Sequence, residues 1–356
     1  MVSKNATYAI VIIVVLGVAA LGVWVFIQPV DNPYEVAIVF ATGRLGDKSF
    51  NDGVFEGAER AHDQLGINFT YSEPDEIAQY ETFLRQYASH QGYIQPYDLI
   101  ISVGFDQADA VMAVADDHPD QKFAIIDMFI DPVTYPNVAS LLFTENEGSA
   151  LVGAIAGLTT QTNKIGFIGG MDIDLIRGFA AGFMFGVNWT NEAANVSIAY
   201  VGEWDNIPQG KALADGMYTT EDVDIIFAAA GKSGLGIFDS VKAITTNTTP
   251  IWCIGVDSPQ MYLGCEDPEN PAPPTRCLTS MLKRVDNAAF SIMQEAVLGT
   301  WVGGVQIFNL ANDGHDYEVN EDLLTLPDHV REAADELKAM IINGTVTVPS
   351  NYTVPY

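Results

Sequence analysis

The chain is short of basic residues, cysteine and histidine, and each shortage limits what it can do. Its 356 residues include 16 lysines and arginines against 46 aspartates and glutamates, a formal net charge of −30. Nucleic acids and anionic lipid surfaces would be repelled by this excess of negative charge, so we expect neither as a partner. A milder interpretation is that the acidic surface keeps the protein soluble in a salty exterior.

The five histidines give no sign of a metal site. They are His62, His90, His118, His315 and His329. None belongs to an H-x-x-x-H pattern or to a cysteine–histidine cluster, so the spacing typical of a zinc site is missing. We therefore expect no bound metal ion.

Three motifs of nucleotide-binding and hydrolytic enzymes are also incomplete or missing. The GKS sequence at residues 231–233 is similar to the end of a phosphate loop, but that loop needs a glycine where Ile226 stands. The glycines of GKSGLG run G-x-x-G-x-G, whereas dinucleotide sites have G-x-G-x-x-G. No G-x-S-x-G sequence is present to expose a nucleophilic serine. We expect a protein that is not an enzyme and needs no cofactor.

Residues 8–27 form an apolar run without a charged residue, about as long as a membrane-spanning helix. Lys4 precedes the run and Asp31 follows it, which predicts a cytoplasmic amino terminus and an exported remainder. A cleaved signal peptide is the alternative, but residues 26–29 offer no small-x-small cleavage site. No cysteine near residues 20–32 could carry a lipid. We predict a single-pass anchor over residues 1–30 at the cell membrane, with the bulk of the chain extracellular.

Two further features agree with export. Asn-x-Ser/Thr sequons, which predict a glycoprotein, occur at Asn5, Asn68, Asn188, Asn195, Asn247, Asn343 and Asn351, and all but the first follow the anchor. Cys265 and Cys277 flank a proline-rich loop, and a disulfide between them would brace a segment unable to form regular structure. Cys253 lies in an apolar run and is expected to be a small buried hydrophobe.

Beyond the anchor, short β-branched runs alternate with helical windows. The predicted strands are residues 36–40, 99–103, 123–126, 165–168, 196–201, 225–227 and 251–256, and the helical windows include 76–89, 107–117, 148–157, 176–188 and 210–216. This alternation predicts an α/β protein with parallel sheets covered by helices. About 325 residues suit two lobes better than one core.

The loop at residues 43–52 is the first candidate for ligand binding. It follows a predicted strand and precedes a helix expected near Gly53, the place where α/β domains present ligand-binding groups. It contains glycines, the polar residues Asp47 and Asn51, and the aromatic Phe50, which a simple strand-to-helix turn would not require. An ordinary βα turn remains the alternative, because such turns are often rich in these residue types.

Seven blocks, in order, resemble one known family. They are GDKSFND (46–52), AIID with VASLLFTENEGSALVGAIAG (124–127, 138–157), KIGFIGGMDIDLIRGFAAGFMFGV (164–187), YVGEWDNIPQGKALA (200–214), DIIFAAAGKSGLGIF (224–238), IGVDSPQ (254–260) and LTSMLKRVDNA (278–288). Between residues 34 and 304 the chain resembles the basic membrane protein family of solute-binding proteins. The best-known members of that family are purine nucleoside receptors that feed ATP-binding-cassette (ABC) importers.

The resemblance implies a type I periplasmic-binding architecture, with two Rossmann-like lobes joined by three crossovers and the ligand in the cleft. We assign residues 34–146 and about 258–290 to lobe 1, and residues 147–257 and about 291–345 to lobe 2. The ligand-binding candidates are Asp47, Phe50, Asn51, Asp127, Trp204, Gly231, Asp257 and Lys283. An ABC permease is the expected partner. A sensor of the same fold that signals through the anchor to another protein is the alternative.

Several candidates follow predicted strands, and the carboxyl ends of parallel strands face one crevice. Phe50 could stack on a flat ligand, Asp257 could bind sugar hydroxyls, and Lys283 could keep Asp257 ionised while donating to the same ligand. The alternatives are structural. Asp257 and Lys283 could form only an ion pair, Phe50 could belong to the core, and Trp204 could be a packing residue of a surface loop.

The chain departs from the family at one position. Purine nucleoside binders usually carry an aspartate directly after the first strand, in a pattern like FD-x-G-G, whereas this chain has Ala41 there and Arg44 in place of a glycine. Arg44 adds a planar cation that could bind a carboxylate or phosphate. Loss of an acceptor changes discrimination between polar ligands by about 1–3 kcal/mol. The departure therefore leaves the ligand open between a nucleoside and another small polar solute.

Overall fold

The computed structural model describes residues 8–11, 26–30, 33–90, 96–244 and 250–351, the first two ranges as backbone only. Contacts divide the chain into two compact units. Unit 1 comprises Met1–Ala41, Val54–Leu141 and Asp286–Val305, and unit 2 comprises Thr42–Gly53, Leu142–Val285 and Gln306–Tyr356.

The strands are, in chain order, β1 (Tyr8–Val11), β2 (Phe26–Val30), β3 (Glu35–Val39), β4 (Asn68–Ser72), β5 (Leu99–Val103), β6 (Phe123–Ile126), β7 (Val138–Phe143), β8 (Lys164–Gly169), β9 (Asn195–Tyr200), β10 (Ile225–Ala229), β11 (Trp252–Asp257), β12 (Cys277–Lys283), β13 (Gly304–Phe308) and β14 (His315–Tyr317). The helices are α1 (Phe50–Leu65), α2 (Tyr80–Ala88), α3 (Ala108–Asp117), α4 (Glu145–Thr159), α5 (Asp174–Thr190), α6 (Ile207–Thr219), α7 (Leu235–Ala243), α8 (Val285–Leu298) and α9 (Asp328–Ile342).

The predicted anchor at residues 8–27 lies largely outside the described residues. At its two ends the structure has β1 and β2, which pair antiparallel. Within the described ranges, no helix combines the length and the apolar character needed to cross a bilayer. The anchor stays a prediction.

The first sheet has the strand order β13-β7-β6-β5-β3-β4, and the pairs from β7 to β4 are parallel. The runs of β5 and β6 are apolar at nearly every position and buried throughout, as expected of parallel strands covered on both faces. On one face α2 and α3 pack against the sheet, with Tyr80, Leu84 and Val111 among the buried side chains.

The second sheet has the order β14-β12-β11-β10-β8-β9 and is parallel except for the edge pair β12–β14. The core on one face contains Phe167, Phe183 and Phe227, which contact one another. Helices α4 and α5 lie very close together at Gly182 and Gly186. A Cβ at either position would overlap the backbone of α4, so only glycine permits this approach. The α/β class and the parallel sheets predicted from the sequence are confirmed.

Part of the chain after residue 257 lies in a different unit from the lobe that the sequence assigned to it. Residues 258–285 belong to unit 2 and residues 286–305 to unit 1, whereas the sequence assigned about 258–290 to lobe 1 and about 291–345 to lobe 2. The physical reason lies in β12, which extends the sheet of unit 2 by pairing with β11 from Cys253↔Cys277 to Asp257↔Leu282.

The disulfide expected between Cys265 and Cys277 is absent from the structure. All three cysteines in the described residues are free and buried. The strand register places Cys277 opposite Cys253, and its Sγ donates to the carbonyl of Thr279 at 3.2 Å. Burial, and then the neighbouring Cys253, raise the pKa of the Cys277 thiol. These thiols therefore act as small core side chains, as expected for Cys253 alone.

Candidate functional site

The candidate site in unit 2 lies where four neighbouring parallel strands end. β8, β10, β11 and β12 are adjacent, so their carboxyl ends share one edge of the sheet. Gly170 and Gly231 follow the ends of β8 and β10, while Asp257 and Lys283 are the last residues of β11 and β12. The sheet thus brings together three of the predicted residues, Gly231, Asp257 and Lys283. Such an edge is where ligands bind in open α/β sheets.

Asp47 organises the loop that precedes α1. Its buried carboxylate accepts hydrogen bonds from the backbone N–H of Ser49 (2.9 Å), Asn51 (2.9 Å) and Asp52 (3.1 Å), and from the side-chain amide of Asn51 at 3.0 Å. Burial raises the pKa of Asp47, and the backbone donors oppose that rise. Because these donors lie at the start of a helix, the Asp47 carboxylate caps that helix and fixes the backbone on both sides of Phe50. Helix α1 accordingly begins at Phe50, before the predicted Gly53.

The same loop is fastened to the end of β11. The hydroxyl of Ser49 donates to Oδ2 of Asp257 at 2.5 Å, and the side-chain amide of Gln260 donates to the carbonyl of Lys48 at 2.6 Å. Asp257 has a left-handed backbone with φ 64°, a conformation that costs energy for a non-glycine residue and is concentrated at functional sites. The structure therefore places Phe50, Asn51 and Asp257 in one assembly.

Lys283 is almost completely enclosed, with 2% of its surface exposed. Its ammonium lies 3.0 Å from Oε1 of Glu145. The rings of Phe50, Phe143 and Phe179 lie 5.4, 4.9 and 5.5 Å from the ammonium, each within the range of a cation–π contact. Phe50 is therefore not a simple core residue, because its partly exposed ring contacts the Lys283 ammonium.

His315 lies directly across from Lys283 in the antiparallel pair β12–β14. Its ring packs edge-on against Phe143, with centroids 5.7 Å apart. Burial, followed by the repulsion of the Lys283 ammonium, lowers the pKa of His315 to about 3. The imidazole is therefore neutral near pH 7, and the positive charge here belongs to Lys283.

Trp204 packs on the glycines of the same sheet edge. A Cβ on Gly170 would overlap its indole ring, and a Cβ on Gly231 would lie 3.6 Å from the ring. The carbonyl of Trp204 accepts the backbone N–H of Ser233 at 3.0 Å. The indole is partly buried and packs on the sheet edge beside Gly231.

Asp127 belongs to the other unit. It follows β6, and its backbone is left-handed with φ 67°, as at Asp257. In the part of the chain that the structure describes, no cluster of His, Cys, Asp or Glu side chains is arranged to hold a metal ion.

Residues 34–352 match the model of a family described as "ABC transporter substrate-binding protein PnrA-like". The chain belongs to this family. The resemblance recognised in the sequence is confirmed, and the protein is a solute-binding protein of the ABC-transporter type.

Relatives and a solved structure agree. The chain is 32% identical over 329 residues to the "ABC transporter nucleoside-binding protein BmpA" of Lactococcus lactis subsp. cremoris, covering 90% of each chain. It is 30% identical over 333 residues to an "uncharacterized lipoprotein" of Pyrococcus abyssi, covering 90% of this chain and 79% of the relative. A crystal structure of an ABC-transporter solute-binding protein from Aeropyrum pernix K1 has a TM-score of 0.78 and 28% identity, covering 90% and 94% of the two chains.

Sequence reasoning missed Glu145, Ser49 and His315. Glu145 is separated from Lys283 by 138 positions, and no pattern in the sequence pairs the two. Glu145 does lie in the block TENEG that carries the resemblance, directly after β7. That position after a parallel strand was the one available signal, and it is the same signal that identified Asp257.

Proposed function

We propose that the protein captures a small polar solute, a nucleoside or a close analogue, at the unit 2 site and delivers it to an ABC importer. The observation that carries the proposal is the assembly of Asp257, Lys283 and Phe50 at one sheet edge. A carboxylate accepts from paired hydroxyls, an ammonium donates to ring or hydroxyl oxygens, and an aromatic ring contacts a flat base. The name of the Lactococcus lactis relative supports the nucleoside class.

The proposal includes the location of the protein. We propose that residues 8–27 anchor the chain and that residues 34–352 lie outside the cytoplasm, where the exposed sequons Asn188, Asn195 and Asn343 are open to glycan transfer. In support, the Pyrococcus abyssi relative is named a lipoprotein.

A thermal-shift screen of the purified full-length chain tests the ligand. Adenosine, guanosine, inosine, cytidine and uridine are compared with ribose, free bases and amino acids. A ligand present at a hundredfold excess over its dissociation constant stabilises the folded state by about 2.7 kcal/mol. We expect at least one nucleoside to raise the melting temperature more than its separate base and ribose do.

Asp257→Asn is the variant that tests the site. Asparagine tolerates the left-handed backbone and keeps an acceptor for Ser49, so the ligand-free melting temperature should change little. The carboxylate is lost, and the thermal shift by the nucleoside should go with it. A screen in which no nucleoside stabilises the wild type, while another solute does, would assign a different ligand to the site.

A further inference from the structure

Glu145 is placed unusually for a carboxylate. It is the first residue of α4, it is 7% exposed, and it shares a hydrogen bond with a lysine that is itself buried. Removing two charges from water costs free energy that their attraction does not always recover, and replacing a buried ion pair by a well-packed apolar pair is often neutral or stabilising. The buried pair therefore needs a reason beyond stability.

The first turn of α4 packs against the last residue of β12, Lys283, and the first residue of β14, His315. Glu145 and Gly148 stand three positions apart, so they lie on the same face of the helix. Glu145 contacts Lys283, while a Cβ at position 148 would lie only 3.2 Å from Nδ1 of His315. Helix α4 thus places the Glu145 carboxylate against Lys283. At Gly148 it leaves room for the ring of His315, which pairs with Lys283 across β12 and β14.

His315 provides bulk without charge. Its ring is 1% exposed, and neither ring nitrogen has a hydrogen-bond partner of good geometry in the described residues. Asp257 lies on the neighbouring strand, in register with Leu282, which directly precedes Lys283. Around the ammonium, α4 supplies the Glu145 carboxylate and β14 supplies the neutral ring of the residue paired with Lys283, while Asp257 ends the adjacent strand β11.

We propose that Glu145 is a positioning residue of the solute site: it holds the Lys283 ammonium at the end of β12, where that ammonium acts with Asp257 on the bound solute. The inference rests on the proposed function. An ammonium on a four-carbon chain is mobile, and fixing it before the solute arrives removes an ordering cost from binding. The three aromatic rings restrict its remaining freedom.

A double-mutant cycle tests the proposal by titration calorimetry with inosine, guanosine and adenosine. Glu145→Gln keeps the size and one acceptor oxygen but removes the charge, and it should weaken the affinity at least tenfold. Lys283→Met should weaken it by at least as much. In the Lys283→Met background, Glu145→Gln should change the affinity less than twofold, because a positioning residue has no effect once its partner is gone.

Two further variants separate positioning from folding. Glu147→Gln lies in the same turn of α4, where the Glu147 carboxylate accepts the N–H of Leu310 at 3.1 Å, and it should leave the affinity within twofold of the wild type. Glu145→Asp restores the charge and should recover part of the affinity lost in Glu145→Gln. The ligand-free protein should be more stable as the double variant than as Lys283→Met alone, because the single variant removes the cation that faces the buried Glu145 carboxylate.

The outcomes are distinct. If the wild type binds a nucleoside and Glu145→Gln binds it within twofold of the wild type, Glu145 is only structural and the inference falls, while the proposed function stands. If Glu145→Gln weakens binding equally with and without Lys283, it does not act through the lysine. If the wild type binds none of the nucleosides, the proposed function fails and this inference fails with it.

Discussion

Trp204 lies so close to Gly170 that any side chain at position 170 would overlap the indole ring. The glycine at the end of β8 is therefore a packing requirement of the tryptophan, and the ring position depends on it. Because the indole also lies near Gly231, the contact sets one side of the candidate site.

Gly170→Ala should consequently destabilise the protein and displace Trp204. Overpacking of a closed contact costs about 1–3 kcal/mol, which urea unfolding would measure, and the fluorescence of the displaced indole should shift to the red. Gly216→Ala is the matched control. Gly216 lies inside α6, a Cβ there would meet nothing within 4 Å, and alanine should stabilise the helix by about 0.5–1 kcal/mol. Equal effects of the two substitutions would contradict the packing argument.

Asp47→Asn should reveal a structural role for the loop carboxylate. Asparagine offers one acceptor oxygen to the four donors that Asp47 satisfies, so buried N–H groups are left without partners. We expect a loss of about 1–3 kcal/mol in the free energy of unfolding. Asp63→Asn, at an exposed position of α1, is the control and should be nearly neutral. Unchanged stability in Asp47→Asn would mean that the carboxylate is not needed to form the loop.

The sequence predicted the fold well because buried parallel strands carry continuous apolar runs. Residues 99–103 and 123–126 coincide with β5 and β6. The strand β14 was not foreseen, since His315–Tyr317 is short, polar and at the sheet edge, where neither an apolar run nor alternation marks it. The membrane anchor was predicted from residues that lie largely outside those described.

The candidate site was predicted only as far as strand ends could indicate it. Asp257 and Gly231 were predicted because each follows an apolar run, and the sheet order places the two strands that precede them side by side. The ion pair of Lys283 with Glu145 was not predicted, because it joins segments brought together by tertiary packing alone. The predicted disulfide between Cys265 and Cys277 was wrong for the same reason. Flanking a proline-rich loop says nothing about strand register, and the register sets Cys277 opposite Cys253.

His315 should make the stability of the protein depend on pH. Its folded pKa of about 3 is below the ordinary value of 6.5, so the unfolded chain takes up the proton first as the pH falls. The free energy of unfolding therefore includes the full contribution of neutral His315 above about pH 6.5. That contribution is lost progressively as the pH falls toward 3. The slope is up to about 1.4 kcal/mol per pH unit, or about 2–3 kcal/mol between pH 7 and 4.5.

His315→Phe should remove that slope while filling the same space. Urea unfolding at pH 7, 5.5 and 4.5 would compare it with the wild type and with His329→Gln, an exposed control on α9. Several buried carboxyls have raised pKa values, Asp47 and Glu318 among them, and act in the opposite direction. They are present in all three proteins, so the difference between the proteins isolates the histidine. Parallel stability curves for wild type and His315→Phe would show that the imidazole does not titrate as described.

Two positions that follow the first strand of the larger sheets bear on which solute is preferred. Ala41 and Arg44 replace the aspartate and glycine usual in purine nucleoside binders, so an acceptor is missing and a planar cation has been gained. Ala41→Asp with Arg44→Gly should raise the affinity for inosine and guanosine. An acceptor that pairs with a ligand donor changes discrimination by about 1–3 kcal/mol, which corresponds to roughly 5- to 150-fold.

Titration calorimetry of the double variant and of each single variant would measure the gain. Ala41→Asp alone should supply most of the gain for neutral purine nucleosides, whereas Arg44→Gly alone should chiefly weaken anionic ligands such as nucleoside monophosphates. If no variant binds purine nucleosides better than the wild type, the two positions do not determine specificity, and the solute belongs to another class.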